Sequence, residues 1–394
     1  MSSARSTSGT ALATGDSRRR KMKLKLMVVG PVPPPFGGIA TWTEGLLKYA
    51  LRDSELEIAH LNSAIRLRGV LDSGPLPRLA TGIAQGCGLL CRFVAAILLK
   101  RPDVVHTCSS ASVGLFRDIV LAVVARCMRV PLIVHLHLGR LPAILTTGGW
   151  EAALMRVLCR LVSHVIVLDP RSLECLRSFA PHCPASVVPN TCWDVDEWQT
   201  TSAVANHRLP ILVFVGHVTP AKGVRELVMA CRDINHPDFR VDVLGPVGDG
   251  FRAELKTLAQ VKNNGEWLNI LGEQPREEVL ARLEAGFALA LPSHTEGFPN
   301  VVLEAMLKGK PVIATPVGAI PDMLLAGANE PCGVCVPVGD VDALRAAIQS
   351  LLDEPARATE LGRRARERAV TTYCPEKVYA QYRSVWELSV LSQA

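Results

Sequence analysis

The chain has 394 residues, of which 48% are apolar, 20% charged and 5% aromatic. This composition excludes disordered, collagen-like and fibrous repeat proteins, and the length allows two or three domains with separate cores. The net charge of +6 is uneven, since residues 1–23 carry six positive and one negative side chain, residues 24–200 carry 17 and 13, and residues 201–394 carry 20 and 23. A basic first half fits a solvated surface or an anionic partner such as a membrane or an acidic substrate. A nucleic-acid interface would carry a denser basic stripe, so no nucleic-acid partner is expected.

Twelve cysteines are scattered along the chain, several of them in apolar runs, which is typical of buried thiols in a reducing compartment. Residues 1–15 lack the apolar core of a signal peptide, and no stretch reaches the ~20 apolar residues that span a bilayer. We therefore expect a cytoplasmic protein whose residues 1–22 form a disordered basic arm. The pair Cys332 and Cys335 has no second pair at zinc spacing, so we predict a packing role for it.

The first half alternates between strand-like and helix-like segments. KLKLMVVG at residues 23–30 is a strand that ends in glycine, PVPPPFGG forms a loop, and residues 39–50 have helical spacing. Further strands are predicted at 104–107, 131–137, 164–168 and 186–189, and further helices at 79–99, 113–128, 151–162 and 171–179. Such alternation predicts parallel βαβ units.

The same pattern starts again after a polar stretch at residues 199–208. ILVFVG at residues 211–216 is followed by a loop with Lys222 and Gly223 and by a predicted helix at 224–232. Further strands are predicted at 240–244, 268–271, 287–291, 311–314 and 333–336, and helices near 251–262, 276–284, 300–308 and 340–352. The sequence thus predicts an α/β protein with two doubly wound domains, residues 23–200 and 209–372, whose strand ends face a shared ligand cleft.

The segment at residues 292–319 carries the most specific chemistry. Glu296 precedes a Gly-Phe-Pro turn, Pro299 suits the first turn of a helix, and Gly309 suits its end. Glu304 lies about a turn and a half into that helix, so two carboxylates bracket a helix N-terminus. Unpaired backbone N–H groups and the helix dipole make such an N-terminus a site for a phosphate or diphosphate. A carboxylate on either side can accept hydrogen bonds from two polyols, a ribose and a hexose.

This segment, EGFPNVVLEAM followed by GKPVIATPVGAIPDM, resembles the nucleotide-sugar motif of family 4 glycosyltransferases, which are retaining enzymes with the GT-B fold of two Rossmann-like domains. The likeness extends across nearly the whole chain, through the first glycine pair, PLIVHLHLG, VVPNTCWD, VGHVTPAKG and PVGDVDALRAAI. It implies transfer of a hexosyl group from a UDP- or GDP-linked sugar to the hydroxyl of a glycan or lipid-linked acceptor, in polysaccharide or glycolipid assembly. No metal and no cofactor are implied, and a last helix at residues 375–391 is expected to return to the first domain.

The resemblance also implies roles for individual residues. Lys222 would grip the diphosphate and stabilise the charge that develops on it, and Glu296 would contact hydroxyls of the transferred sugar. Glu304 would bind the ribose. His137 would contact the sugar and shape the reactive centre, although His135, two residues earlier on the same strand face, is the alternative. The remaining donor-binding positions implied are Gly37, Gly38, His217, Gly297, Phe298, Pro299, Asn300 and Val301.

Three positions depart from the family pattern. His217 stands where an arginine is usual, and because a histidine side chain is only partly charged near neutral pH, the diphosphate clamp should be weaker or pH-dependent. Asp169 stands where a serine is frequent, and the sequence offers no chemical reason for it. Thr191 follows Asn190 where glycine is usual, so a structural role is expected for Asn190. A chain that binds the nucleotide sugar without turnover is therefore an alternative to the enzyme.

Two further interpretations start from local patterns. The Rossmann-like starts suggest a dinucleotide oxidoreductase, but neither PVPPPFGG nor HVTPAKG fits GxGxxG. Asp194 and Asp196 form a DxD pattern that does not close a donor strand, so a metal site is not expected there.

The apolar window at residues 79–99 suggests a contact with the inner face of the plasma membrane. Its flanking and internal basic residues would bind anionic lipid and so bring the first domain to a lipid-linked acceptor. A core helix with charged ends explains the same pattern equally well. The basic residues concerned are Arg78, Arg92, Lys100 and Arg101.

Overall fold

The computed structural model describes residues 23–34, 37–64, 75–194, 210–234, 236, 238–260 and 265–392, without the side chains of residues 75–83. The predicted basic arm at residues 1–22 lies outside the described residues, as does Asp196 of the DxD pattern.

The first half of the chain forms a parallel sheet of six strands in the order β2-β1-β3-β4-β5-β6. Most of its strands are buried apolar runs because helices cover both faces of the sheet. The strands are β1 (Leu24–Gly30), β2 (Leu56–Asn62), β3 (Val104–Ser109), β4 (Leu132–Leu136), β5 (His164–Val167) and β6 (Ala185–Val187). The helices are α1 (Gly38–Ala50), α2 (Pro75–Lys100), α3 (Gly114–Cys127), α4 (Leu141–Thr147), α5 (Gly149–Leu161) and α6 (Pro170–Phe179).

The second half repeats this architecture with a second parallel sheet of six strands, in the order β12-β11-β10-β7-β8-β9. Its strands are β7 (Ile211–Val215), β8 (Arg240–Leu244), β9 (Leu268–Gly272), β10 (Ala288–Leu291), β11 (Val312–Ala314) and β12 (Val334–Cys335). The α-helices are α7 (Val224–Cys231), α8 (Asp249–Ala259), α9 (Arg276–Ala285), α10 (Asn300–Leu307), α11 (Ile320–Met323), α12 (Val341–Asp353), α13 (Pro355–Thr372) and α14 (Pro375–Leu391). The predicted α/β class with two doubly wound sheets is confirmed.

The sequence missed the elements with weak apolar periodicity. β2 lies at the edge of its sheet, and two of its seven residues are exposed, so its sequence LEIAHLN lacks a continuous apolar run. α13 is rich in arginine and glutamate, and α4 and α11 are only seven and four residues long.

The last helix, α14, crosses back to the first sheet and packs beside α1. Tyr382 and Trp386 are fully buried there with Trp42. The indole Nε1 of Trp386 donates a hydrogen bond to Nδ1 of His106 on β3, at 3.0 Å. Tyr379 donates from its hydroxyl to Asp53 at 2.9 Å. These contacts anchor the end of the chain on the first domain.

Glycines allow the two domains to approach closely where β4 ends. A Cβ atom on Gly139 would lie 1.2 Å from the carbonyl oxygen of Glu296, so no larger residue fits there. Gly318, with a φ of 56°, approaches the same oxygen, and its Cβ atom would lie 2.3 Å away. The backbone turn at Glu296 is therefore held between loops of both domains.

Candidate active site

The carboxyl ends of strands from both sheets face one cleft of about 310 Å³. All predicted site residues except Gly37 and Glu304 line this cleft. They are Gly38 and His137 from the first domain, and His217, Lys222, Glu296, Gly297, Phe298, Pro299, Asn300 and Val301 from the second.

Lys222 and Glu296 form an ion pair in this cleft, with 2.7 Å between Nζ and Oε1. The same carboxylate oxygen accepts a hydrogen bond of 2.7 Å from the hydroxyl of Ser293, a buried residue just after β10. Lys222 ends a short 3₁₀ turn, and Gly223 follows it with a φ of 67°. A Cβ atom on Gly223 would lie 2.0 Å from the carbonyl oxygen of Pro292, so the glycine lets the lysine loop approach the end of β10. Residues 74 positions apart are thereby brought into contact.

The N-terminus of α10 points into the cleft without a side-chain cap. Pro299 occupies the N-cap position and offers no side-chain acceptor, so the first N–H groups of the helix are available to a ligand. Asn300 lines the cleft at this helix end and accepts a hydrogen bond of 3.2 Å from Nδ2 of Asn190. Asn190 thus connects the first domain to the helix end, and its own Oδ1 atom is buried without a hydrogen-bond partner among the described residues.

Glu304 lies one turn further along α10 and lines a neighbouring cavity of about 390 Å³. Its carboxylate accepts a hydrogen bond of 2.6 Å from the guanidinium of Arg276, the first residue of α9. Asn300 lines both cavities, so they adjoin at the start of α10. Sequence reasoning missed Arg276, although its position just beyond the carboxyl end of β9 is where an α/β sheet binds its ligand.

His137 follows the last residue of β4 and lines the cleft, whereas His135 lies within the strand and is fully buried. The two rings are 3.8 Å apart, and both pack against the indole of Trp42. Burial, together with the neighbouring His106, lowers the pKa of His137 to about 3. Burial also lowers the pKa of His135 well below its ordinary value. Both rings are therefore neutral near pH 7.

The two predicted glycines differ in position. Gly38 is the first residue of α1 and lines the cleft, and a Cβ atom there would meet nothing within 4 Å. Gly37 caps the helix, accepting a hydrogen bond from the N–H of Thr41, and it does not line the cavity. Gly38 is thus placed at the cleft, whereas the predicted approach of Gly37 to the donor stays a prediction.

The structure explains two of the three departures from the family pattern. Asp169 is the N-cap of α6, where its carboxylate accepts hydrogen bonds from the N–H and the hydroxyl of Ser172, at 2.8 and 2.6 Å. Thr191 is buried and donates to the carbonyl of Tyr373 at 2.6 Å, which connects the segment after β6 to the second domain. His217 is exposed at the rim of the cleft. Among the described residues, no group of three or more His, Cys, Asp or Glu side chains is placed to hold a metal ion.

Comparisons with known proteins show what the chain is similar to. Residues 197–368 match the family model described as "Glycosyl transferases group 1". A D-inositol 3-phosphate glycosyltransferase of Kineococcus radiotolerans is 34% identical over 174 residues, which are 40% of each chain. The chain thus spans about two fifths of the length of this curated relative.

Two solved structures share the fold over almost the whole chain. Sucrose-phosphate synthase from Thermosynechococcus elongatus aligns with a TM-score of 0.73 and 20% identity, covering 94% of this chain and 100% of that one. Anabaena Alr3699/HepE, solved in complex with UDP-glucose, aligns with a TM-score of 0.68 and 18% identity over 92% of this chain and 99% of that one. The predicted GT-B fold is confirmed by these neighbours.

Proposed function

We propose that this chain, whose residues 197–368 match the model of the group 1 glycosyl transferases, transfers a hexosyl group from a nucleoside diphosphate sugar to an acceptor hydroxyl, with retention of the anomeric configuration. The observation that carries this proposal is the Lys222–Glu296 ion pair beside the uncapped N-terminus of α10. A cation and a helix N-terminus suit a diphosphate, and a carboxylate suits the hydroxyls of a sugar.

The proposed binding step exchanges the partners of this ion pair. The diphosphate takes the place of Glu296 at Lys222 and accepts hydrogen bonds from the first N–H groups of α10. The carboxylate of Glu296, still oriented by the hydroxyl of Ser293, then accepts hydrogen bonds from the hexose. Glu304 accepts hydrogen bonds from the ribose in the adjoining cavity, and Arg276 holds that carboxylate in position.

In the proposed transfer, the bond between the sugar C1 and the β-phosphate oxygen breaks, and its electron pair stays on the phosphate. Lys222 and the α10 N-terminus stabilise that growing charge, which is larger in the transition state than in the bound substrate. The acceptor oxygen bonds to C1 from the face that the phosphate leaves, and its proton passes to the departing phosphate. Retention follows because attack and departure share one face of the sugar.

The lining of the cleft favours this use of the phosphate as base. Glu296 is the single carboxylate among the described residues that line it, and in the proposed complex it accepts hydrogen bonds from the hexose. His137 is neutral, so it suits a hydrogen bond to a sugar hydroxyl without adding charge. No other carboxylate of the described lining is left to attack C1, as a covalent double displacement requires.

The proposal is tested by incubating the full chain with UDP- and GDP-linked hexoses, for which the HepE complex gives the first donor, and with a panel of glycan and lipid-linked acceptors. Release of the nucleoside diphosphate together with an anomeric proton of unchanged configuration in the NMR spectrum of the product supports it. Inverted products would contradict retention. Nucleotide binding without release from any donor would favour the noncatalytic alternative.

A further inference from the structure

The outer face of α3 is apolar, which is unusual for a helix at the surface of a sheet. Its exposed positions are Phe116, Val120, Val123, Arg126 and Cys127, so four of five are apolar or thiol side chains. Phe116 is 55% exposed, Val120 45% and Val123 42%. Their spacing of three and four residues places them in one stripe. A surface helix normally directs polar residues to solvent, whereas a helix with apolar residues on every side is covered by something.

Neighbouring helices on the same face of the first sheet extend this stripe. The ring of Phe116 stacks on that of Trp150 in α5, with 6.3 Å between centroids and 12° between planes. Single exposed apolar side chains are ordinary, but a cluster across adjacent helices marks an interaction site. We name these residues the outer apolar patch: Leu98, Leu99, Val113, Phe116, Val120, Val123, Trp150 and Val157.

The chain segment that carries this patch is strongly basic. Residues 75–163 contain ten arginines and lysines but only three acidic residues. Two of the acids, Asp118 and Glu151, are paired with arginines of the same segment. The third, Asp103, accepts a hydrogen bond from the backbone N–H of Lys25. The acidic side chains therefore do little to balance the basic surface.

Exposed arginines flank the patch without acidic partners. Arg126 lies beside the stripe on α3, Arg129 follows that helix, and Arg156 and Arg160 lie on the outer side of α5. None of these four forms an ion pair with an acidic residue that the structure describes. A second copy of the chain would bring two such positive faces together, so charge repulsion opposes self-association through this surface.

We propose that the outer apolar patch docks on a bilayer that contains anionic lipid. Phe116 and Trp150 enter the headgroup region, where aromatic side chains are favoured, and the flanking arginines contact lipid phosphates. Among the helices that the structure describes, none has both the length and the apolar character needed to cross a bilayer. Vesicle binding tests the proposed contact independently of the proposed transfer reaction.

This surface differs from the one predicted from sequence. The window at residues 79–99 lies in α2, where Leu89, Phe93 and Ile97 are buried in the core of the first domain. Only the exposed end of that helix, at Leu98 and Leu99, joins the patch. The core-helix interpretation is thus correct for the buried side of α2. The docking face that we propose lies mainly on α3 and α5.

Residues between α3 and α5 connect the patch to the cleft. Arg140 forms an ion pair with Glu151 in the first turn of α5, and it donates a hydrogen bond to Ser112, next to the start of α3. The adjacent Gly139 touches the backbone of Glu296. If the proposed transfer uses a lipid-linked acceptor, docking through the patch brings that acceptor towards the cleft.

The test is flotation of the full chain with vesicles of phosphatidylcholine alone or mixed with phosphatidylglycerol, at low and high salt. We expect binding to the anionic vesicles only, weakened by salt. The double variant Phe116→Ser/Trp150→Ser should lower vesicle affinity by about tenfold or more, since two aromatic side chains no longer bury their area in lipid. Arg126→Gln/Arg160→Gln should lower it by about tenfold and reduce its salt dependence.

Matched controls are Val338→Ser/Leu388→Ser, which remove exposed apolar side chains of the second domain and of α14. These controls should bind vesicles like the wild type, and all variants should keep its unfolding temperature. Equal vesicle binding by the Phe116/Trp150 variant and the wild type would overturn the proposal and assign the contact to another part of the chain, such as the basic residues 1–23. Dimers in sedimentation that this variant abolishes would overturn it in favour of a second copy.

Discussion

The two walls of the cleft hold their polar groups in opposite ways. The second domain supplies charges in pairs, Lys222 with Glu296 in the cleft and Arg276 with Glu304 in the adjoining cavity, at 2.7 and 2.6 Å. The first domain supplies His137, which burial keeps neutral. Paired charges near solvent can exchange one partner for an anionic ligand, whereas a neutral ring in a low-dielectric surrounding fixes shape without repelling or attracting the diphosphate. This difference supports the proposal that the second wall binds the diphosphate and the first wall orients the sugar.

The largest expected effect comes from removing Lys222, the cation that the second domain supplies to the cleft. Lys222→Ala should lower kcat by about 30- to 1,000-fold, because about 2 to 4 kcal/mol of transition-state stabilisation is lost. Steady-state kinetics with saturating donor measure this effect. Lys308→Ala is the matched control, since Lys308 is also ion-paired but lies outside the cleft, 3.1 Å from Glu284. A loss of less than a few-fold in Lys222→Ala would contradict the assigned role.

Alanine variants of the two adjacent histidines of the first domain, His135 and His137, distinguish their roles. His137→Ala should lower kcat by about 10- to 100-fold because a hydrogen bond to the sugar is lost. His135→Ala should instead lower the free energy of unfolding by about 2 kcal/mol, since a fully buried ring is removed. Kinetics and urea unfolding of both variants give the two readouts. If His135→Ala shows the greater kinetic defect at unchanged stability, the assignment of the two histidines is reversed.

A buried neutral histidine of the first domain, His106, should also make the free energy of unfolding depend on pH. Burial lowers the pKa of His106, which is fully buried, to about 3, whereas its pKa in the unfolded chain is near 6.5. Below about pH 6.5 the unfolded chain therefore binds a proton that the folded chain does not bind. The stability contributed by the neutral ring is complete above about pH 6.5 and falls as the pH drops towards 3. At pH 5 this residue alone lowers the free energy of unfolding by about 2 kcal/mol.

Urea unfolding of the wild type and of His106→Gln at pH 7 and pH 5 measures this dependence. The variant should be less stable at pH 7, because the hydrogen bond from Trp386 is disturbed, yet it should lose less stability between the two pH values. Parallel losses in both proteins would show that His106 does not titrate on unfolding.

The smallest expected effect comes from restoring the arginine at the rim of the charged wall. His217→Arg places a permanent charge at an exposed position that lines the cleft. We expect the KM for the donor to fall by about threefold, because an arginine side chain can hold two phosphate oxygens at once. His182→Arg, an exposed substitution outside the cleft, is the control. An unchanged donor KM would show that the side chain at position 217 does not contact the diphosphate.

Local signals made the second sheet and its motif predictable. The helix that starts after Pro299 and the carboxylates on either side of its first turn could be placed from spacing alone. The contact between Lys222 and Glu296 could not, because it joins residues 74 positions apart through the packing of two loops. Arg276 gave no signal of its own, since an arginine at the start of a helix is ordinary until Glu304 is seen beside it.

The outer face of α3 shows a second limit of prediction from the sequence. Its apolar residues were visible in the sequence and predicted a helix, but which of them are covered depends on the neighbouring helices. Leu115 and Leu121 pack into the core, whereas Phe116 and Val120 remain exposed. Periodicity identifies two apolar sides on such a helix and does not say which one the fold buries.

The most direct test of the central claim is thermal unfolding of the wild type and of Glu304→Ala in the presence of UDP, GDP, ADP, CMP or NAD. A ligand that binds the folded chain raises its unfolding temperature, so the nucleotide that fits is identified by the shift. The account predicts a rise with one nucleoside diphosphate in the wild type and little or none in Glu304→Ala. A rise with NAD alone, or an equal rise in both proteins, would contradict the assignment of Glu304 and of the adjoining cavities to a nucleoside diphosphate sugar.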